Sequence, residues 1–438
     1  MNHDSLHSTL TELAARHRVP GAQLAVIHEG ERFLVHTGVR DTGSGAPVDR
    51  HTAFPVGSLT KPFTAALAMI LVADGDVDLD EPLNGQLPEF GAGGLVTLRQ
   101  LLSHTSGLPS DVPEGTDGDR ARWVARHCRA ADLTHPPGTV FSYSNIGYVV
   151  VGRLIEAVTG MSWQEAIGAI LLDPLGIRPA FVVGPARTGR PVATGHAVQA
   201  ARERVVPIPG QDLPEVEMPN GALALSAEDL VGFARLYFAD CPDPEPLDRA
   251  TADDMCFDQL ASIDIGPYGM ADGWGLGWAR FDDGAADVYG HDGTGDGTSC
   301  HLRFDPADGS AVALTANANT GAQLWDALVP RLRAMGLSAG DRPAPEPPAG
   351  PVRPTLADEC LGRYTNGDIE FVVQPSPDGG LLLSFGGAPH SELLCSADLR
   401  FTMRELGSGA RSPGRFVTDP ATRRIGYLQI TGRLAPRR

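Results

Sequence analysis

The sequence predicts an α+β fold: an antiparallel sheet covered by helices, a mostly helical lobe beside it, and a small all-β domain after both. Runs with the alternating pattern of strands occur early in the chain and return late, with helical periodicity between them. Because strands and helices are segregated in this way, the sheet is expected to be antiparallel and to pack beneath helices. A proline-rich stretch then precedes a second region of closely spaced strand-like runs.

The elements of the first domain, residues 1–337, follow in order. Two early strand-like runs at residues 22–28 and 32–39 predict a hairpin. Late strands are expected at residues 287–291, 300–304 and 311–316. Apolar spacing predicts helices at residues 6–17, 58–73, 98–103, 146–158, 162–171, 226–237 and 322–335, the last of them bent at Pro330. Residues 179–219 are rich in glycine and proline, and no element is predicted there.

The second domain is expected at residues 355–438, after an extended, semi-rigid proline-rich linker at residues 338–354. Strand-like runs occur at residues 369–374, 381–385, 392–395, 400–404, 415–417 and 425–430. This spacing is typical of a small antiparallel barrel or sandwich. Residues 400–438 carry nine arginines against two acidic residues, so this terminus is locally basic.

Composition excludes several classes of function. With 438 residues and a net charge of −19, the chain is long enough for two domains and is not expected to bind nucleic acid. The N-terminus lacks the basic and apolar segments of a signal peptide, and the longest apolar run is too short to cross a bilayer. We therefore expect a cytoplasmic protein without a membrane partner, and a monomer. Cysteine and histidine spacings indicate neither a metal site nor a disulfide framework, and no cofactor is expected.

The most informative stretch is Ser58-Leu59-Thr60-Lys61, at the start of a long apolar run. Of the 35 basic residues, 34 are arginines and Lys61 is the one lysine. Arginine stays protonated, whereas a buried lysine can lose its proton and act as a base. Residues three apart share a helix face, so the Lys61 amine can activate the Ser58 hydroxyl as a nucleophile. The ordinary interpretation of the same pattern is an N-cap serine with a solvated lysine.

Two further motifs favour the catalytic interpretation: a Tyr-Ser-Asn run at residues 143–145 and a His-Asp-Gly run at residues 291–293. In this order, the three motifs resemble those of the serine β-lactamase and penicillin-binding-protein superfamily, on its class C-like side. Residues 101–108 and 274–278 also resemble stretches common in that branch. The resemblance covers residues 10–337 and implies a β-lactamase/transpeptidase-like catalytic domain.

The resemblance assigns roles to the motif residues. Ser58 attacks an acyl carbonyl and Lys61 accepts its proton. Tyr143 is a second acid and base, which protonates the leaving group. Asn145 is expected to hold Lys61 and the substrate amide by hydrogen bonds. Asn220 falls where the family often has a substrate-facing segment.

The third motif departs from the Lys-Thr-Gly of most β-lactamases, because it begins with His291. His-x-Gly is frequent among class C-like esterases, peptidases and cyclases, so β-lactamase activity is less expected. An imidazole that titrates near neutrality can orient Tyr143 or share its proton. Gly293 lets the substrate backbone approach the strand edge, and the family places the oxyanion hole at the backbone amides of Ser58 and Thr294.

Within the superfamily, the chain most resembles the penicillin-binding-protein-type thioesterases, which are stand-alone cyclases with a C-terminal lipocalin-like domain. They form an acyl-enzyme from a nonribosomal peptidyl thioester, which a carrier protein can present, and release a macrolactam by amine attack. An arginine of their small domain meets the carboxylate side of the substrate, which makes Arg433 the candidate. The ordinary interpretation of Arg433 is a surface residue in an arginine-rich tail.

Other functions with the same chemistry stay open at this point. A D-stereospecific peptidase or aminopeptidase, an esterase and an amide-forming transacylase differ only in the nucleophile that resolves the acyl-enzyme. A non-catalytic penicillin-recognition sensor is disfavoured by the intact Tyr143, Asn145 and His291. The C-terminal domain either covers the site or binds a protein partner.

Overall fold

A computed structural model describes most of the chain. It covers residues 1–438 except 114, 115, 117, 184–189, 200, 201, 212, 242–244, 285, 341–357, 378, 397, 408, 420 and 421. The linker predicted at residues 338–354 therefore lies mostly outside the described residues. The domain boundaries at residues 337 and 355 stay predictions for the same reason.

The helices of the first domain cover its sheet and build the lobe beside it. They are α1 (His3–Arg16), α2 (Thr60–Ala73), α3 (Leu98–Leu102), α4 (Arg120–His127), α5 (Asn145–Thr159), α6 (Trp163–Ala166), α7 (Met218–Gly221), α8 (Ala227–Ala234), α9 (Arg249–Cys256) and α10 (Gly321–Ala334). Each predicted helix is present. The one predicted at residues 162–171 is shorter, because the α-helical hydrogen bonds end at Ala166 and a wider, π-helical turn spans Ile167–Leu172.

The strands of the first domain combine the early hairpin with the late strands. They are β1 (Gly21–His28), β2 (Glu31–Gly38), β3 (Phe54–Pro55), β4 (Ala180–Phe181), β5 (Gly195–Gln199), β6 (Arg204–Ile208), β7 (Leu223–Leu225), β8 (Gly273–Trp274), β9 (Ala279–Asp282), β10 (Asp287–Gly295), β11 (Thr298–Asp305) and β12 (Ser310–Ala316). Seven of them form an antiparallel sheet in the order β2-β1-β12-β11-β10-β9-β8. The predicted α+β architecture is confirmed.

The sheet is buried on both faces. Helices α1 and α10 pack on one face through leucines, with Leu24 and Leu314 paired across β1 and β12 beneath them. Helices α2 and α8 pack on the other face, where Ala25 and Phe63 belong to the larger core that continues into the helical lobe. Burial of this apolar surface is the main stabilising contribution to the fold.

Helix α2 lies at the centre of the first domain and is buried from Thr60 to Leu71. A helix that is apolar on every side is stable only when protein surrounds it. The helix was predicted to begin at Ser58, but it begins at Thr60, and Ser58 lies in the 3₁₀ turn Gly57–Leu59 before it. The nucleophile candidate therefore lies at the N-terminal end of the most buried helix.

The second domain is an eight-stranded antiparallel meander that closes into a barrel, as predicted for a lipocalin-like domain. Its strands are β13 (Gly362–Asn366), β14 (Ile369–Pro375), β15 (Leu381–Phe385), β16 (Ala388–Cys395), β17 (Arg400–Glu405), β18 (Arg411–Thr418), β19 (Ile425–Ile430) and β20 (Arg433–Pro436). A bridge between Tyr364 and Arg437 joins the first strand to the end of the last. The sequence missed β13 and β20, and Arg433 is the first residue of β20.

The barrel is attached to the first domain near the motif residues. Asn366 accepts a hydrogen bond from the Ser110 N–H at 2.7 Å, and Gln429 Nε2 donates one to the Gly266 carbonyl at 2.9 Å. The tight turn between β19 and β20 passes so close to Met270 that a Cβ on Gly432 would lie 2.4 Å from its sulfur. No helix among the described residues is long and apolar enough to cross a membrane.

Candidate active site

Ser58 is positioned by a tight backbone approach between its 3₁₀ turn and strand β10. Gly57 has a φ of +52°, and a Cβ at this position would lie 2.1 Å from the Thr294 carbonyl oxygen. A Cβ on Gly293 would lie 1.8 Å from the Val56 carbonyl oxygen. Both glycines are therefore required for the strand to lie against the turn, which brings Ser58 beside the edge of the sheet.

Lys61 lies on the first turn of α2, fully buried, with its amine directed at the nucleophile. Its Nζ lies 3.0 Å from Ser58 Oγ and donates to the Asn220 carbonyl oxygen at 3.1 Å. The rings of Tyr143 and Tyr148 cover the amine, with their centroids at 5.1 and 5.7 Å. The predicted pairing of amine and hydroxyl is present in the structure, and its catalytic role stays a prediction.

The surroundings of Lys61 favour its neutral form. Burial lowers the pKa of Lys61 to about 7; the negative charge of Glu217 opposes this, and the positive charge of Arg433 adds to it. A lysine with such a pKa is available as a base near neutral pH, which an arginine would not be.

Tyr143 lies in the extended segment before α5, where its neighbour Ser144 caps the helix by accepting from the Gly147 N–H at 3.0 Å. The barrel holds the Tyr143 backbone, because its N–H donates to the Gly432 carbonyl at 3.1 Å. Burial raises the pKa of Tyr143 above its usual value, and a hydrogen bond with Ser58 opposes the rise. Tyr143 is therefore a neutral phenol near neutral pH, and its role as an acid and base stays a prediction.

Asn145 begins α5 and reaches a residue that the sequence did not indicate. Its Nδ2 donates to Asp111 Oδ1 at 2.6 Å, and its Oδ1 is buried with no hydrogen-bond partner among the described residues. Asn145 was expected to hold Lys61, but in the structure the Lys61 amine bonds to the Asn220 carbonyl.

His291 lies on β10 and is neutral. Its Nδ1–H donates to the Asp292 carbonyl at 2.6 Å, which leaves Nε2 as an acceptor, buried and without a partner in the described part of the chain. Burial, followed by the positive charge of Lys61, lowers the pKa of His291 to about 3. The expectation that it titrates near neutrality was wrong, because the sequence does not show how deeply the imidazole is buried.

The strand that carries His291, Gly293 and Thr294 is anchored from the next strand. Asp292 Oδ1 accepts from His301 Nδ1 and from Arg303 Nη1, both at 2.8 Å. Thr294 lines the same two cavities as Ser58. The function of its amide stays a prediction.

Asn220 lies in the short helix α7, and its side chain bonds to a carboxylate. Its Nδ2 donates to Glu217 Oε2 at 3.0 Å. Burial raises the pKa of Glu217, while the Asn220 hydrogen bond and the Lys61 charge oppose the rise. Sequence reasoning missed Glu217, because no element was predicted at residues 179–219 that would bring it beside Asn220.

Arg433 reaches the site from the barrel. Its guanidinium carbon lies 5.1 Å from the centroid of the Tyr143 ring, and its Nε lies 3.5 Å from Asp111 Oδ2. The Arg433 side chain is 30% exposed, so it lies at the mouth of the site and not on the outer surface of the tail. Asp111 thus links Asn145 to the barrel, and no sequence pattern marked it.

Two cavities meet at Ser58, and Thr294 and Arg433 line both. One has a volume of about 160 Å³ and is largely apolar, with Tyr143 and His291 on its wall beside Met270, Trp274 and Phe281. The other has a volume of about 310 Å³ and is largely polar, with walls that include Asn145, Gln211, Glu217, Asn220 and Asp296. No group of His, Cys, Asp and Glu in the described ranges is arranged to hold a metal ion.

Comparisons with known proteins agree on one group of relatives. The family model described as Beta-lactamase matches residues 6–334. Penicillin-binding protein 4 of Amycolatopsis lactamdurans is 35% identical over 80% of this chain and 94% of its own. The crystal structure of SurE is 40% identical, with a TM-score of 0.87 over 100% of this chain and 99% of that chain, and SurE has also been solved with D-Leu. Unguisins hydrolase ungD of Aspergillus violaceofuscus is 28% identical over 68% of this chain and 58% of its own.

Proposed function

The chain belongs to the beta-lactamase family, and from this we propose that it is an acyltransferase that releases a macrolactam from a linear peptidyl thioester. The resemblance to the β-lactamase and penicillin-binding-protein superfamily is confirmed. Membership makes the protein a serine hydrolase or acyltransferase. The cyclase activity, the nonribosomal peptidyl thioester and the carrier protein that presents it are the proposal.

The observation that carries the proposal is the contact of 3.0 Å between Lys61 Nζ and Ser58 Oγ. With its pKa lowered to about 7, a large fraction of the Lys61 amine is neutral near pH 7 and accepts the Ser58 proton. Ser58 Oγ then forms a bond to the acyl carbon. The negative charge on the former carbonyl oxygen is stabilised by the backbone N–H groups of Ser58 and Thr294.

Departure of the thiol completes the first half of the reaction. Tyr143 donates its proton to the sulfur as the carbon–sulfur bond breaks, and the Lys61 ammonium returns a proton to Tyr143. The net result is an ester on Ser58 and a free thiol, with Lys61 and Tyr143 unchanged. Because Tyr143 lines the apolar cavity, the leaving group departs on that side.

The second half reverses these transfers with an amine in place of the thiol. The incoming amine enters the apolar cavity and loses one proton to the Tyr143–Lys61 pair as it attacks the ester. The pair then returns a proton to Ser58 Oγ. The unprotonated Nε2 of His291, which lines the same cavity, orients the amine by accepting its remaining N–H.

One observation supports an amine over water as the nucleophile. The cavity on the Tyr143 side has apolar walls formed by Met270, Trp274 and Phe281, which disfavour ordered water. The likeness to SurE extends over the whole chain, so it includes the barrel that brings Arg433 to the site. The SurE structure with D-Leu supports a D-configured residue at one of the two reacting positions.

The test is a panel of peptidyl N-acetylcysteamine thioesters that differ in the configuration of the first and last residues. We expect a macrolactam to be the main product for one configuration, as measured by mass spectrometry against the linear acid. Arg433→Gln should reduce turnover, whereas Arg404→Gln, which breaks a surface ion pair with Glu392 on the barrel, should not. Exclusive hydrolysis across the panel would contradict the cyclase activity.

A D-stereospecific peptide hydrolase is the second candidate. It is favoured by the partly exposed mouth of the site, where the Asp111 and Arg433 side chains are 33% and 30% exposed and water has access. A relative named as a hydrolase of unguisins supports the same candidate. The same panel separates the two functions, because a hydrolase gives the linear acid from thioesters and also cleaves the matching peptide amides.

A further inference from the structure

Glu217 lines the polar cavity together with Ser58, and the proposed reaction steps do not use it. Its Oε2 accepts a hydrogen bond from Asn220 Nδ2 at 3.0 Å, and it has no ion-pair partner in contact among the described residues. Burial of a carboxylate without a paired cation is unfavourable, and burial raises the pKa of Glu217 accordingly. A carboxylate of this kind is available to stabilise a positive charge that forms during the reaction.

A buried arginine of the helical lobe holds the backbone next to this carboxylate. Arg120 of α4 donates from Nε to the Val216 carbonyl at 3.0 Å and from Nη2 to the Glu215 carbonyl at 3.1 Å. Its Nη1 faces the Glu156 carboxylate, with which it forms an ion pair. Arg120 therefore fixes the chain just before Glu217, while its own charge is balanced by a different carboxylate.

Helix α7, which follows Glu217, is bound to the first turns of α2 without help from this carboxylate. Thr64 Oγ1 donates to the Pro219 carbonyl at 2.7 Å. The next carbonyl along the chain, that of Asn220, accepts from Lys61 Nζ at 3.1 Å. Because the backbone of α7 is held in this way, we expect a substitution of Glu217 to act on Lys61 mainly through the loss of its charge.

The charged side chains around the Lys61 amine come from three separate segments. The carboxylates of Glu217 and Asp111 raise the pKa of Lys61 and the Arg433 guanidinium lowers it, and of these three charges Glu217 has the largest effect. Four other titratable side chains surround the amine, and burial moves the pKa of each away from neutral pH: Tyr143, Tyr148, His104 and His291. Glu217 is therefore the principal charge that decides how readily Lys61 holds a proton.

We propose that Glu217 is a positioning residue for the first proton transfer, and that its carboxylate stabilises the ammonium which Lys61 becomes when it accepts the Ser58 proton. This rests on the proposed acyl-enzyme chemistry of Ser58. As Ser58 Oγ forms its bond to the acyl carbon, its proton moves to Lys61 Nζ, so a positive charge appears on the amine. The negative charge of Glu217 compensates it, and no proton moves to or from Glu217.

The test measures kcat/KM for acylation against pH, because its midpoint reports the pKa of the base in the free protein. The substrate is an acetylated peptidyl N-acetylcysteamine thioester, which has no amine that titrates, and thiol release is followed. Glu217→Gln keeps an acceptor for the Asn220 amide and removes the charge. We expect its midpoint to lie at lower pH by about half a unit or more, and its plateau to fall by about two- to fivefold, because a weaker base accepts the proton less readily.

Two further variants separate an effect of charge from a loss of structure. Arg433→Gln removes the opposing charge, so its midpoint should move to higher pH, whatever the change in rate. Glu217→Asp keeps the negative charge and should keep the midpoint close to that of the unsubstituted protein. A general disturbance of the site would not move the midpoint in opposite directions in Glu217→Gln and Arg433→Gln.

Glu215→Gln is the matched control, because it removes the same charge from the same 3₁₀ turn, Glu215–Glu217, but on an exposed side chain that lines neither cavity. It should leave both the midpoint and the rate unchanged. Glu217→Ala is the second variant without the charge, should Glu217→Gln unfold, and its midpoint should also move to lower pH. Thermal unfolding of each variant checks that it is folded.

The outcomes distinguish the role of Glu217 from the proposed function. A folded Glu217→Gln or Glu217→Ala protein with the midpoint of the unsubstituted protein would overturn the role of Glu217 and leave the proposed function intact. A shift of the same size in Glu215→Gln, or shifts in the same direction in Glu217→Gln and Arg433→Gln, would overturn it as well. Failure of the unsubstituted protein to release thiol and form an acyl-enzyme would overturn the proposed function, and the role of Glu217 with it.

Discussion

The two cavities that meet at Ser58 differ in size, polarity and place along the chain. The apolar cavity, about 160 Å³, is built by the segment before α5, by strands β8 to β10 and by Met270. The polar cavity, about 310 Å³, is built by residues of 211–221, by Asn145 and by residues after Gly293 on β10. The candidate nucleophile thus faces two environments, and among the described residues Ser58, Thr294 and Arg433 line both.

The difference assigns a separate task to each side. The apolar side holds Tyr143 and His291, which in the proposed mechanism exchange protons and hydrogen bonds with the leaving group and the incoming amine. The polar side offers hydrogen-bond acceptors, which suit the amide groups of an acyl chain. Under the proposed function, we therefore expect that separate substitutions alter the selection of the acyl group and the choice of the nucleophile.

The largest expected effect comes from removing the proposed nucleophile, Ser58, or the proposed base, Lys61. Ser58→Ala should lower thioester turnover by about 10⁴- to 10⁶-fold, because no acyl-enzyme can form. Lys61→Arg should be nearly as damaging, since it keeps the charge and loses the base. Thioester consumption measured by thiol release checks both variants. An active Lys61→Arg protein would contradict the role of Lys61 as the general base.

A paired substitution tests the assignment of tasks. Trp274→Ala opens the apolar cavity to water, so the ratio of macrolactam to linear acid should fall about tenfold, which corresponds to about 1.4 kcal/mol, with acylation less affected. Glu217→Gln alters the polar cavity and should change kcat/KM for acylation without changing that ratio. Product ratios by mass spectrometry and acylation rates by stopped flow check the pair. If the two variants exchanged their effects, the assignment of the cavities would be reversed.

The sequence predicted those site residues that lie close together in the chain or belong to motifs that occur in a fixed order. The Ser58–Lys61 pair needs only helical spacing, and Tyr143, Asn145 and His291 follow as motifs in a fixed order. The helices and strands of the first domain were found wherever their apolar periodicity was long. The eight-stranded barrel was predicted from six runs, because β13 and the four-residue strand β20 are too short and too mixed to be distinguished from turns.

The parts that the sequence missed depend on tertiary contacts. Asp111 accepts a hydrogen bond from Asn145 and lies beside Arg433, at the far end of the chain, and its loop has no pattern. The pKa of His291 depends on burial, and an isolated His-Asp-Gly motif carries no information about depth. Glu217 is an ordinary acidic residue until α7 places it beside Asn220 and Lys61.

The dependence of acylation on pH tests the lowered pKa of Lys61, the proposed base for Ser58. Because the pKa of Lys61 is lowered to about 7, kcat/KM should rise with pH through a midpoint near 7, below which the amine is protonated and cannot accept from Ser58. His291, with a pKa of about 3, should contribute no step near 6.5. A profile that is flat between pH 6 and 9, or that falls with pH, would contradict the neutral lysine.

The last prediction concerns the stability of the folded protein rather than its activity. The pKa of Lys61 is about 7 in the folded protein and 10.5 ordinarily, so between these values the unfolded chain binds more protons. The free energy of unfolding should therefore rise with pH by about 1.4 kcal/mol per unit above pH 7. Lys61→Met lacks this dependence. Its stability relative to the unsubstituted protein should be greatest below pH 7 and fall toward pH 9, as chemical denaturation at each pH would show. A constant difference would contradict the prediction.

The central claim is that Ser58 carries the acyl group as a covalent intermediate. It is tested most directly by quenching the reaction of the unsubstituted protein with a peptidyl thioester and locating the added mass by peptide mapping. We predict that the acyl group is on the peptide that contains Ser58 and disappears as the macrolactam forms. An acyl group on another residue, or turnover without any covalent adduct, would contradict the account.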